Sequence, residues 1–324
     1  GVNCMSVVAE WLKACRCSPK AGVGNLLSLI YGQTRFKNSF TYKGVIFEDN
    51  AVKNYIRKKY GSIINKYANV SLDGLPVGEG GKKYLWMFWW QGLENAIPLI
   101  KGSIESAQRA FPEFTLIVIT EDNYKNYIDL PDYIIEKHKK GFITTTELAD
   151  ISRVTLLSKY GGIWSDISMY FLPPVQDFTN FPIFSIKNTD NHVEYLPSKN
   201  MWTSFFLYSR NKNHPFFCFA RDVFFEYWRD KKTLIDYFLI DYIWWIAYES
   251  FPSVRKQIDN IPVTCEHVYD LQRKLNDEFD SEFINEIKKD TWAFKLRRHD
   301  VYDLQKNGHP TFYNELFGDF VSIK

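Results

Sequence analysis

An alternation of apolar runs and helical patterns opens the regular part of the chain. Tyr84 to Trp90 is almost wholly apolar and aromatic, which predicts a buried strand ending at Gln91-Gly92. The next apolar positions repeat every three to four residues, as in a helix, and Thr115 to Thr120 follows as a second strand. These helical positions are Ile97, Ile100, Ile104 and Ala107. The pattern predicts one strand-helix-strand unit with parallel strands and a right-handed crossover.

A second helix is predicted to start at Thr144, because Thr144 and Glu147 have the spacing of a capping box. Its apolar positions form one broad arc that extends to Tyr160, namely Leu148, Ile151, Val154 and Leu157. Asp150 falls inside that arc, where an unpaired carboxylate would be costly to bury. Arg153, three residues later, is its nearest candidate partner.

Gly161-Gly162 should end this helix, because glycine adopts the left-handed conformation of many helix ends. The apolar run from Ile163 to Phe171 then predicts a strand. Side chains of a strand alternate between its faces, so Asp166 and Ser168 should point the same way. Two such oxygen-bearing side chains suit a hard divalent cation, although this spacing also occurs at ordinary strand ends.

A family resemblance rests on two adjacent motifs. They are Asp150-x-x-Arg153 and Lys159-Tyr160-Gly161-Gly162-Ile163-Trp164-x-Asp166-x-Ser168. Together they resemble the central block of bacterial capsular polysaccharide synthesis glycosyltransferases, relatives of the Och-type mannosyltransferases that carry a DXD motif. The resemblance implies an α/β fold of the GT-A type, Rossmann-like, with a mostly parallel central sheet and flanking helices. It also implies a nucleotide-sugar donor, Mn²⁺ or Mg²⁺, and retention of anomeric configuration.

By this resemblance Asp166 matches the first acid of the DXD motif, and Ser168 stands where the second acid is expected. Ligands of open α/β sheets bind beyond the carboxyl ends of the strands, and a nucleotide base could stack there on an indole. The donor-binding residues that we predict are Trp89, Trp90, Gln91, Asp150, Arg153, Gly162, Trp164 and Ser165. Core packing is the alternative for one of the two adjacent tryptophans. The absence of G-x-G-x-x-G and of a Walker lysine argues against dinucleotide oxidoreductases and P-loop enzymes.

Two later helices are predicted, over Phe216 to Trp228 and over Leu234 to Tyr248. Asp236 has an ordinary explanation, because it lies three residues after Thr233 at a helix start. Asp241 has none, and such an acid could assist an acceptor hydroxyl or shield a cationic anomeric carbon. The resemblance makes the triplet Asp236-Tyr237-Phe238 an alternative catalytic candidate.

The last part of the chain contains a basic stretch with Lys295, Arg297 and Arg298. A cation near a departing diphosphate stabilises the transition state, and the resemblance favours Lys295 for this role. His299 or His309 could replace the carboxylate missing at Ser168 as a metal ligand. The alternative for each is an ordinary surface residue.

Composition limits the class of protein. The chain has 324 residues, 45% of them hydrophobic, which suffices for a large core. It contains no apolar run of about 18 residues and no signal-peptide pattern, so we expect a cytoplasmic protein. The spacing of its five cysteines favours free thiols.

Basic residues are concentrated before residue 84, where 13 Lys and Arg accompany 5 Asp and Glu, against 27 and 33 in the remainder. We predict a basic helical appendage and linker over residues 1–80 and a glycosyltransferase domain over 81–324. Lys53, Arg57, Lys58 and Lys59 could bind an anionic membrane surface, or the appendage could simply pack on the domain. The chain matches no nucleic-acid-binding motif, so nucleic acid is not an expected partner.

The predicted activity is metal-dependent transfer of a hexose, of galactose or glucose type, from a nucleoside diphosphate sugar, with UDP as the expected nucleotide. The expected acceptor is a lipid-linked molecule of the undecaprenyl diphosphate type, or an oligosaccharide, at the inner face of the cell membrane. Two alternatives from other classes are a non-catalytic sugar- or membrane-binding scaffold and a metal-dependent phosphodiesterase or nucleotidyltransferase.

Overall fold

The computed structural model of the chain describes residues 39–77, 82–187, 189 and 196–321, with six isolated positions before residue 39. The strands are β1 Tyr84–Phe88, β2 Thr115–Ile119, β3 Gly162–Ser165, β4 Met169–Phe171, β5 Ile183–Ser185, β6 Phe206–Ser209, β7 Ala293–Lys295, β8 Gln305–Lys306 and β9 His309–Pro310. The α-helices are α1 Ser39–Lys59, α2 Gly61–Ala68, α3 Pro98–Ala110, α4 Asp132–Lys139, α5 Thr145–Tyr160, α6 Pro215–Asp230, α7 Leu239–Ser250, α8 Pro252–Asp259, α9 Asp270–Lys274, α10 Ser281–Ile287 and α11 Phe312–Phe317.

The centre of the described structure is a five-stranded sheet in the order β2-β1-β3-β6-β5. Strand β1 pairs in parallel with both β2 and β3, whereas β6 is antiparallel to β3 and to β5. Four strands therefore point one way and β6 points the other way. The expectation of a mixed α/β fold with a mostly parallel central sheet is confirmed, including the parallel β1-α3-β2 unit.

Side-chain alternation divides the core between the two faces of this sheet. Leu85 and Met87 of β1 face one cluster, together with helix α3, whereas Trp86 and Phe88 face a second cluster with helices α5, α6 and α7. Because both faces are covered by apolar side chains, β1 needs no polar alternation, which explains its continuous apolar sequence.

Helix α5 begins as predicted, because the capping box of Thr144 and Glu147 is present in full. Gly161 and Gly162 end it with φ angles of 69° and 87°. Gly162 has a second reason to be glycine, since a Cβ there would overlap the carbonyl oxygen of Tyr84 in β1. The chain can therefore leave the helix and enter the sheet without a gap.

The strand predicted from Ile163 to Phe171 is divided in the structure, and this part of the prediction is wrong. Strand β3 ends at Ser165, and the backbone N–H of Met169 donates to the carbonyl of Asp166 at 3.1 Å, closing a turn. Strand β4 then leaves the central sheet and pairs with β7. A change of sheet therefore falls at Asp166 and Ser168, which places their side chains at the end of a strand.

Helix α6 has nearly the predicted bounds, but α7 begins at Leu239 and not at Leu234. The carboxylate of Asp236 accepts a hydrogen bond from the backbone N–H of Phe238 at 2.7 Å. Such an Asx turn gives the backbone an alternative to helix and delays the helix start. Asp241 consequently lies in the first turn of α7 and not deep within a helix.

The amino-terminal helices α1 and α2 join the core of the rest of the chain. Val52 and Ile56 are buried in the same cluster as residues of α6 and α7. Arg57 pairs with Glu249 of α7, and Lys53 is buried with its ammonium 5.4 Å from the ring of Trp245. The glycines from residue 78 to residue 81 of the predicted linker lie outside the described residues.

Lys59 also pairs with an acid of α6, Asp230, at 2.9 Å. Arg57 and Lys59 are thus directed at acids of neighbouring helices, as the packed alternative expects. In the part of the chain that the structure describes, none of the helices has the length and apolarity needed to cross a bilayer. Cys218 and Cys265 are free thiols, whereas Cys4 and Cys17 lie outside the described residues.

Candidate active site

Three charged side chains from distant parts of the chain meet beyond the end of β3. Arg153 donates to Asp166 Oδ1 at 3.0 Å, and Lys295 Nζ lies 2.7 Å from Asp166 Oδ2. The second guanidinium nitrogen of Arg153 lies 2.5 Å from Asp150 Oδ1. Lys295 Nζ also lies 3.2 Å from the hydroxyl of Ser168. One carboxylate is therefore held between two cations, and one of these cations holds a second carboxylate.

Backbone pairing explains how these groups meet. Asp150 and Arg153 lie one turn apart on α5, so they share one face of the helix. Strand β7 brings Lys295 opposite Met169 in the register of the β4-β7 pair, and the next amide, of Leu296, donates to the carbonyl of Ser168. A two-stranded sheet thus places the lysine against the turn that carries Asp166.

The electrostatic environment shifts the pKa values of the two carboxylates in opposite directions. Burial alone would raise the pKa of Asp166, but Lys295 and Arg153 outweigh it and lower that pKa to about 2. Burial raises the pKa of Asp150 to about 6, with partial opposition from Arg153. Asp166 is therefore ionised at every physiological pH, whereas Asp150 can exchange a proton near neutral pH.

A crevice, the tryptophan lobe, lies on one side of Asp166. Its walls include Trp89, Trp90, Gln91, Arg153 and Trp164. The guanidinium of Arg298 lies 5.2 Å from the ring centre of Trp89. Trp90 packs its ring against the buried Phe88 and the half-buried Tyr124, so the core alternative describes Trp90 better than Trp89.

The Trp164 ring lies below the guanidinium of Arg153, at 4.9 Å, and its indole N–H donates to Asp166 Oδ1 at 3.2 Å. This ring therefore fixes the position of both charged groups at the floor of the tryptophan lobe.

A second crevice, the carboxylate lobe, lies on the other side. It shares Thr146, Arg153, Asp166 and Lys295 with the tryptophan lobe, so the charged cluster forms the boundary between the two. Its other lining residues combine acids, hydroxyl and amide groups with aromatic rings. They include Asp150, Ser198, Asn200, Trp202, Thr203, Phe205, Tyr237, Asp241 and Tyr269.

Asp241 is buried in the wall of the carboxylate lobe and accepts a hydrogen bond from Trp202 Nε1 at 2.8 Å. Burial raises the pKa of Asp241 to about 7, although the bond from Trp202 opposes this change. A carboxylate with such a pKa is half ionised near neutral pH, which suits a group that accepts and returns a proton.

Several predicted site residues lie elsewhere among the described residues. Gly162 packs against the backbone of β1, and the Ser165 hydroxyl donates to the carbonyl of Asp166, so neither lines a lobe. Asp236 holds the turn before α7. His299 and His309 are exposed, and His309 belongs to the small β8-β9 pair. Neither histidine is among the residues that line the two lobes.

The donor atoms at Asp166 and Ser168 do not fit a divalent cation as they are arranged. Both carboxylate oxygens of Asp166 already contact cations, and Lys295 lies between the two side chains that should hold the ion. No three His, Cys, Asp or Glu side chains form a metal-binding group within the described ranges. The manganese or magnesium ion suggested by the resemblance therefore stays a prediction.

Sequence reasoning missed several residues of the lobes, among them Trp202, Tyr269 and Arg298. Trp202 and Tyr269 lie in segments without a chemical motif, and only the folded chain brings them to Asp241 and Lys295. Arg298 had a signal, because it belongs to the same basic stretch as Lys295.

Comparison with known proteins identifies the family. A profile described as capsular polysaccharide synthesis protein matches residues 35–316. The chain is 29% identical over 105 residues to the O-glycosyltransferase PaGT of Phomopsis amygdali. The aligned segment covers 30% of this chain and 26% of that protein. It thus spans about a quarter of this relative's length. Among solved structures, the PaToxG glycosyltransferase matches 65% of this chain and 82% of its own, with 16% identity and a TM-score of 0.38. Because the profile covers most of its length, the chain belongs to the capsular polysaccharide synthesis protein family.

Proposed function

We propose that this protein is a glycosyltransferase that uses a nucleoside diphosphate sugar. One observation carries the proposal: the Arg153, Asp166 and Lys295 cluster lies at the carboxyl end of β3, between two open lobes. Ligands of open α/β sheets bind at this edge. Two lobes that meet at fixed positive charge suit a donor with a diphosphate at its centre.

The donor would place its base in the tryptophan lobe, near Trp89 and Arg298, and its diphosphate against Arg153 and Lys295. When the bond between the anomeric carbon and the diphosphate oxygen breaks, the leaving group gains negative charge. Two fixed cations stabilise that charge more strongly in the transition state than in the ground state. Asp166 keeps both cations in place through its two oxygens.

The sugar and the acceptor would occupy the carboxylate lobe. Its aromatic rings offer apolar faces, and its hydroxyl, amide and carboxylate groups offer hydrogen-bond partners for a polar ligand. As the acceptor oxygen bonds to the anomeric carbon, its proton would pass to a carboxylate of this lobe. Asp241 is our first choice, because its raised pKa makes it a competent base near neutral pH.

The finer assignments from the resemblance are also proposals. They are the GT-A type of fold, the UDP nucleotide, a hexose of galactose or glucose type, retention of configuration, and the lipid-linked or oligosaccharide acceptor at a membrane surface. Vesicle co-sedimentation at two salt concentrations tests whether the protein binds a membrane surface, because electrostatic attraction to anionic lipids weakens as salt increases.

Donor hydrolysis separates this proposal from its two alternatives. Incubated with a panel of nucleotide sugars, with and without Mn²⁺, a transferase releases free sugar and nucleoside diphosphate. A phosphodiesterase releases sugar phosphate, and a non-catalytic scaffold releases nothing. Proton NMR of the transfer product distinguishes retention from inversion.

Asp166→Asn tests the carrying observation. We expect a folded protein whose transfer rate falls at least about a hundredfold, because both cations lose the charge that orients them. Asp129→Asn is the matched control, since Asp129 forms an equally short ion pair with Lys159 on the surface. Near-normal transfer by Asp166→Asn, or an equal loss in both variants, would contradict the assignment of this site.

A further inference from the structure

The ammonium group of Lys295 lies where the resemblance expects a metal ion. It contacts Asp166 Oδ2 at 2.7 Å and the hydroxyl of Ser168 at 3.2 Å, which are the two side chains at the DXD positions. The ring of Phe205 lies 5.4 Å from the same ammonium. Lys295 is one-quarter exposed, so it is held in place yet open to a ligand in the crevice.

Charge balance favours the lysine over a divalent ion. Asp166 carries one negative charge and already contacts two cations, Lys295 and Arg153. Ser168 is neutral, so it adds no charge to attract a metal. An added divalent ion would lie within a few ångströms of two fixed positive charges, and like charges at this separation repel strongly. Metal binding would therefore require Lys295 to move away.

We propose that Lys295 replaces the divalent metal in this chain, so that glycosyl transfer proceeds without one. The inference rests on the proposed function and identifies Lys295 as the group that neutralises the charge of the departing diphosphate. In the reaction Lys295 and Arg153 contact the diphosphate oxygens. The bond between the anomeric carbon and the diphosphate breaks, the acceptor oxygen forms the new bond to that carbon and gives its proton to Asp241, and the nucleoside diphosphate leaves. The Ser168 hydroxyl accepts a hydrogen bond from the ammonium and so orients it. Because the hydroxyl is neutral, it leaves the positive charge of Lys295 available to the diphosphate.

The activity test compares chelator and metal across three proteins. With EDTA, wild-type transfer should keep at least about half of its rate, and added Mn²⁺ should change it less than about twofold. Lys295→Met should lose about a hundredfold or more, the scale of losing one electrostatic stabiliser. Lys306→Met is the matched control, because Lys306 forms an ion pair of 2.8 Å with Asp277 on the surface, and it should behave as wild type.

The binding test does not depend on turnover. Electron paramagnetic resonance of Mn²⁺ titrated into the protein should show no tighter binding by wild type than by Asp166→Asn. Calorimetry should show UDP binding in EDTA, weakened at least about tenfold in Lys295→Met. The double variant Ser168→Asp with Lys295→Met restores two facing carboxylates and removes the cation, so it should gain Mn²⁺ affinity over wild type. Thermal melting establishes that each variant is folded.

Opposite results would overturn the inference. These are abolition of wild-type transfer by EDTA with recovery in Mn²⁺, tight Mn²⁺ binding by wild type that Asp166→Asn removes, or UDP binding that requires Mn²⁺. If no nucleotide sugar is hydrolysed or transferred under any condition, the proposed function fails, whereas the Mn²⁺ titration still decides whether Lys295 excludes the metal.

Discussion

The buried carboxylate of Asp241 gives the most quantitative prediction. Asp241→Asn replaces it with an amide of the same shape, whose oxygen can still accept the hydrogen bond from Trp202. The substitution removes the ability to ionise and changes little else. Its effect should therefore depend on pH in a way that ordinary packing damage does not.

The sign follows from the raised pKa. In the unfolded chain Asp241 loses its proton near 3.8, but burial keeps the proton in the folded protein until about pH 7. Between these values the folded state holds a proton that the unfolded state has released, so wild-type stability falls as pH rises from about 4 to 7. The full loss is about 4 kcal/mol, at roughly 1.4 kcal/mol for each tenfold change in proton affinity.

Neighbouring Asp150 and Arg153 act on Asp241 in opposite directions, so their effects partly offset each other. We expect the Asn variant to be roughly 2 to 4 kcal/mol more stable than wild type at pH 8 and nearly equal at pH 4. Melting temperature should therefore rise by about 5 °C at pH 8. If Asp241 accepts the acceptor proton, transfer should fall by about a hundredfold or more, with donor hydrolysis less affected.

Differential scanning calorimetry from pH 4 to pH 8 measures the stability difference, and parallel assays follow transfer and donor hydrolysis. Asp129→Asn is the control, because its exposed ion pair should contribute less than about 1 kcal/mol at any pH. A stability difference that is the same at both pH limits would refute the raised pKa. Normal transfer by a stabilised Asn variant would refute the role as a base and leave the pKa assignment intact.

Two further predictions concern the scaffold. Gly162→Ala should cost about 3 kcal/mol or more, because its Cβ meets the backbone of Tyr84 and its φ is positive. Gly141→Ala, with a similar φ but open space, should cost only about 1 to 2 kcal/mol in the same urea titrations, and equal costs would contradict the steric explanation. Burial lowers the pKa of His214 from 6.5 to about 4, so wild type should lose up to about 3 kcal/mol as pH falls between these values. His214→Asn should remove this dependence of stability on pH. If the variant loses as much stability as wild type when the pH falls, another group causes the loss.

Local signals in the sequence determined the elements whose stabilising contacts lie close along the chain. The capping box of Thr144 and Glu147 fixed the start of α5, and Gly161-Gly162 fixed its end. The apolar run of β1 and the helical period of α3 were sufficient for the parallel strand-helix-strand unit. In each case the information lies within a few residues, where backbone hydrogen bonds and side-chain periodicity act directly.

Competition between local and distant contacts decided where the strand after Gly162 divides and where α7 begins, which the apolar pattern did not predict. The continuous apolar run after Gly162 looks like one strand, but β7 offers β4 a partner outside the central sheet, so the chain turns at Asp166. The apolar pattern likewise predicted a longer α7, but the local hydrogen bond of Asp236 holds a turn, so the helix begins only at Leu239.

The contact between Asp166 and Lys295 in the charged cluster belongs to the tertiary structure alone. Asp166 and Lys295 are 129 residues apart, and no spacing rule connects them. The same is true of Trp202 and Asp241, 39 residues apart, whose contact places a carboxylate of raised pKa in the carboxylate lobe. The sequence supplied the residue types, but burial and the distances between charges determine which carboxylates stay ionised, and these exist only once the chain has folded.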